Sequence, residues 1–181
     1  MNYDDFKLFT RSDTVLSEQD LLQFEQEHQL KLPTDYRNSL LKYNGGLFFD
    51  DSRYAECLFY TSVLLEDDPE PTEVEDQIIS FCSLEELYPG IYRDLDLELY
   101  DDDEEEQTVR AKAKTLLEIA DGISGNYLID FGPEKYGQIF FYLNENIDIE
   151  KQPYLVAPSF RAWVEQFVFE ERFDFTLGKK K

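Results

Sequence analysis

The chain has 181 residues, 42% of them apolar and 15% aromatic, with a formal charge of −23 at pH 7. That length suits one domain able to bury roughly 70% of its unfolded surface. The charge excludes nucleic acid and anionic membrane as direct partners, since both repel it, and no apolar run approaches the ~20 residues needed to cross a bilayer.

The leading stretch, MNYDDFKLF, has neither a basic n-region nor an apolar h-region. It therefore reads as no secretory signal, and the expected location is the cytoplasm. The first helix begins at Ser17, where Ser17 and Asp20 have the spacing of a capping box and Leu16 and Leu21 that of a hydrophobic staple. Leu21, Phe24, Glu25 and His28 follow on helical spacing. Pro33 suits the first turn of a second helix, in which Tyr36, Leu40 and Tyr43 recur at i, i+4 and i+7. Asn44-Gly45-Gly46 stops it with a left-handed cap.

Leu47–Phe49, Cys57–Leu65 and Ile78–Cys82 read as strands. Between the last two lies EDDPEPTEVED, residues 66–76, with seven acids and no base. Two prolines and little apolar content predict a solvated loop there. Ser83 and Glu86 make a second capping box for a helix carrying Leu84, Leu87 and Tyr88. Next comes DLDLELYDDDEEE, residues 94–106, with nine acids and no base. Its first half alternates Leu95, Leu97 and Leu99 with Asp94, Asp96 and Glu98, the pattern of an edge strand with a charged outer face. Its second half, Asp101 to Glu106, is a block of like charge expected to be disordered. Removing the sixteen acids of the two segments leaves a charge of only −7, so the acidity belongs to these segments and not to the fold.

Val109–Lys114 leads into the centre of the chain, LLEIADGISGNYLIDFGPEKYGQIFFYL, residues 116–143. Three apolar runs broken by Asp121-Gly122, Gly125-Asn126, Gly132-Pro133 and Gly137 predict a three-stranded antiparallel meander. Its third run sets Ile139, Phe141 and Leu143 against Phe140 and Tyr142, so both faces need cover. After a connector at 144–154, Pro158-Ser159 opens a last helix with Phe160, Trp163, Val164 and Phe167 at 3–4 spacing, the natural cover for one face. The basic tail, Lys179–Lys181, is expected to fray. The order of elements predicts an α+β class: one domain over residues 1–181, a mostly antiparallel twisted sheet covered by helices, with acidic insertions at about 66–76 and 94–106.

Catalytic chemistry finds no constellation. His28 is the sole histidine and sits on a helix stripe, where a packing role outweighs a catalytic one. Cys57 and Cys82 form no framework and read as buried, reduced thiols. One histidine and two scattered cysteines supply no ordinary zinc site. Asp94-x-Asp96-x-Glu98 opens like a calcium loop, but no turn glycine follows. Gly122-Ile123-Ser124-Gly125 precedes a strand and carries no lysine, so it is no phosphate loop. The expectation is no catalytic residue, no cofactor and no metal.

The block LPTDYRNSLLKYNGG, Leu32 to Gly46, closely resembles the signature of the SUKH superfamily of cell-wall-synthesis-regulator-like domains. Ile119-Ala120-Asp121-Gly122 with Gly125-Asn126, and Val156-Ala157-Pro158-Ser159-Phe160, agree with it in order, so the resemblance covers residues 16–46 and 115–169. It implies a non-catalytic α+β domain and, for many bacterial members, an immunity protein that neutralises a secreted toxin, often a nuclease. The regulatory scaffold of the fungal members is the alternative. A nuclease cleft is positive, and an acidic inhibitor is steered to it. The contact residues expected on that basis are Glu66, Asp67, Asp68, Tyr92, Asp94, Asp96, Glu98, Tyr100, Asp101, Asp102, Asp103, Glu104, Glu105 and Glu106. The competing reading makes Asp101–Glu106 a solubilising loop. The partner expected is a protein with a basic toxin domain; the oligomeric state is left open.

Overall fold

A computed structural model describes residues 13–47, 54–63, 72–87, 115–143 and 153–172. Ser17 caps helix α1 (Glu18–Glu27) with a complete box: the Asp20 carboxylate accepts the Ser17 N–H at 2.7 Å, and the Ser17 hydroxyl accepts the Asp20 N–H at 3.3 Å. Leu21 and Phe24 of this helix are buried. Helix α2 (Thr34–Tyr43) follows Pro33, whose φ of −55° already suits it, and buries Tyr36, Leu40 and Tyr43. Glu25 fastens the pair, accepting the Leu32 N–H at 2.9 Å and facing Arg37 Nε at 3.6 Å; Arg37 also bonds Glu18.

Among the described residues eight strands form one sheet: β1 (Gly46–Leu47), β2 (Tyr54–Val63), β3 (Thr72–Phe81), β4 (Leu116–Gly122), β5 (Gly125–Asp130), β6 (Ile139–Leu143), β7 (Tyr154–Ala157) and β8 (Val168–Arg172). Their spatial order is β7-β6-β5-β4-β3-β2-β8, with β1 beside the end of β3. Each recorded pairing is antiparallel. The expected meander is β4–β5–β6, and the α+β class stands.

The core lies where α1, α2 and the short helix α3 (Phe160–Val164) meet one face of this sheet. Trp163 is fully buried there, 4.7 Å from the Tyr127 ring, 5.7 Å from Phe81 and 4.9 Å from Phe167. The Asp35 carboxylate accepts the Arg161 N–H at 2.7 Å and so ties α2 to α3. The two-sided burial expected of β6 is present. Ile139 and Phe141 join the main core, while Phe140 joins Leu116 and Leu128 in a second cluster on the opposite face. A bulge between Glu118 and Ala120 turns both Ile119 and Ala120 into the main core.

Three expectations are corrected. Strand β3 starts at Thr72, not Ile78, so residues 72–76 of the segment read as a loop are ladder, paired with β2. The second capping box opens a single 3₁₀ turn, Leu84–Glu86, and no longer helix: Leu87 is extended, at φ −80° and ψ 115°. Helix α3 ends at Val164, and Phe167 reaches the core from beyond it, with β8 following where the helical spacing promised nothing.

Candidate functional site

None of the fourteen expected contact residues, Glu66 to Asp68, Tyr92, Asp94, Asp96, Glu98, Tyr100 and Asp101 to Glu106, falls within the described residues. What the structure brings together instead are the residues that carry the recognised sequence blocks. Each has a geometric task.

Asn44 stands in the left-handed region at φ 49° and is 2% exposed. Its amide donates to the Thr14 carbonyl at 3.2 Å and accepts the Leu84 N–H at 2.8 Å, joining the leading segment to the 3₁₀ turn. Gly45, at φ +80°, lies so close to the end of β3 that a Cβ there would sit 2.6 Å from the Ser83 nitrogen. The Asn-Gly pair is therefore a turn wedged against the sheet.

The Asp121–Tyr127 hairpin is held in the same way, by a residue far away in sequence. Asp76 of β3 is 1% exposed. Its carboxylate accepts the Ser124 N–H at 2.8 Å and the Tyr127 hydroxyl at 2.7 Å. The Ile123 N–H donates to the Gln77 carbonyl at 3.0 Å, completing the clamp. Gly122 has to be glycine, since a Cβ would fall 1.9 Å from an Asp76 oxygen. Burial raises the Asp76 pKa above the usual carboxylate value, and the hydrogen bonds from Ser124 and Tyr127 offset only part of that. Asp76 was missed because it ends a run of acids. The signal that finds it is parity: it shares the strand face of Ile78, which is 1% exposed.

Tyr36 packs 5.1 Å from the Phe160 ring, its hydroxyl bonds no group among the described residues, and burial pushes its pKa well above the ordinary phenol value. Among the described residues one set of side chains has the composition of a cation site: Cys82, Glu118 and Asp121, with ligand atoms within 4.8 Å of one another. The Ser80 hydroxyl donates to Asp121 at 2.9 Å, and the Cys82 N–H to the Ile119 carbonyl at 2.9 Å. A thiol with two carboxylates suits a divalent ion of borderline softness. Sequence spacing hides this set, since its members converge only when the end of β3 lies on the bulge of β4. His28, at the C-cap of α1, is exposed and rests 4.5 Å from the Phe24 ring, which is a packing role.

No helix among the described residues is long and apolar enough to cross a membrane. Residues 15–166 match the model of a protein family described as the SMI1 / KNR4 family (SUKH-1). No curated protein and no solved structure matches the chain.

Proposed function

The chain belongs to the SMI1/KNR4 (SUKH-1) family, and from that premise we propose that it is an immunity protein, binding and neutralising a basic toxin without chemistry of its own. One observation carries the reading. Residues that carry the family resemblance hold the fold: Asn44 and Gly45 as a wedged cap, Gly122 against Asp76, Ser159 as the cap of α3. What remains to act on another molecule is surface, and that surface is acidic, at −23 for the whole chain. Acidic inhibitors associate with basic domains at up to ~10⁹ M⁻¹s⁻¹ at low salt. The contact surface proposed is Glu66, Asp67 and Asp68 with the acids of residues 94–106 and Tyr92 and Tyr100, tyrosine being a frequent anchor in interfaces.

The test is co-expression of the chain with each secreted toxin domain encoded beside its gene, read as survival, followed by titration of the purified pair. Rescue by one toxin with a 1:1 complex is the expected result. Full toxicity from every neighbouring toxin overturns the proposal, and a stable complex with a housekeeping protein instead assigns the chain to the regulatory scaffolds.

A further inference from the structure

We draw no further inference here: the strongest candidate, the Cys82–Glu118–Asp121 cluster where the end of β3 meets the bulge of β4, is a single thiol beside two carboxylates, and no independent observation among the described residues points to an ion or other ligand there.

Discussion

Asp76 shows how one side chain sets the local energetics. Its folded-state pKa lies above the unfolded value of about 3.8, because burial favours the neutral acid. Between those two values the folded chain holds a proton that the unfolded chain has lost. Stability therefore falls as pH rises through this window and is level above it. Asp76→Asn keeps an acceptor for the Ser124 N–H and removes the titration. Urea midpoints of the two proteins from pH 3.5 to 7 are expected to move apart in favour of the Asn variant as pH rises, then stay parallel. A constant difference across the range would show that Asp76 does not titrate differently in the fold. Asp76→Ala, by contrast, removes the acceptor of both the Ser124 N–H and the Tyr127 hydroxyl and costs about 2–4 kcal/mol at low pH, a cost that narrows as pH rises through the same window.

Tyr36 makes the opposite case. A buried hydroxyl without a partner is a cost of about 1–3 kcal/mol, and here the Tyr36 hydroxyl bonds no described group. Tyr36→Phe keeps the ring against Phe160 and is expected to leave stability unchanged or to raise it by about 1 kcal/mol, read by thermal or urea unfolding. A loss of more than about 1 kcal/mol would mean the hydroxyl is satisfied after all. The contrast separates a packing tyrosine from a hydrogen-bonding one, Tyr127, within a single core.

At the scale of elements, the Asn44 cap is the joint between the helical hairpin and the sheet. Asn44→Gly keeps the left-handed backbone but loses the bonds to Thr14 and Leu84. Asn44→Ala loses both. Denaturation should therefore rank the proteins wild type, then Gly, then Ala, with about 2–3 kcal/mol separating the extremes. Equal loss in the two variants would assign the whole effect to the hydrogen bonds. This joint was legible in the sequence because caps and turns are local: Ser17 with Asp20, Asn44 with Gly45, and the glycine-broken meander each declare themselves within a few residues. Strand β8 was not legible. Its residues follow Phe167 on a helical pattern, and what makes them a strand is pairing with β2, Tyr54 opposite Arg172, across most of the chain length. The first half of β3 was hidden for a related reason. Five consecutive residues with three acids read as solvent-facing, and only the ladder to β2 and the burial of Asp76 among Ser124 and Tyr127 decide otherwise.

For the whole molecule the governing quantity is charge. A chain at −23 repels itself when folded, so screening salt should stabilise it. For a protein of this size each kcal/mol recovered raises Tm by roughly 2–4 °C. Sixteen of the acids lie in residues 66–76 and 94–106, and apart from Asp76, which clamps the β4–β5 hairpin, such concentration is costly unless it serves solubility or a partner. Deleting residues 101–106 takes the formal charge to −17 and separates these uses. If the block meets a basic toxin, the variant binds more weakly and associates more slowly. The fall of its log affinity with log salt is then shallower than that of the intact chain. If the block only solubilises, affinity and salt slope match the intact chain and only the Tm gain from salt shrinks. The comparison is informative because an extended chain offers about one charge per 3.3 Å, against one per ~1.7 Å along duplex DNA. A partial mimic of a nucleic acid must gain part of its affinity from other contacts. Tyr92→Ala and Tyr100→Ala should accordingly speed dissociation while leaving the salt slope untouched, and a change in slope alone would remove the tyrosines from the interface.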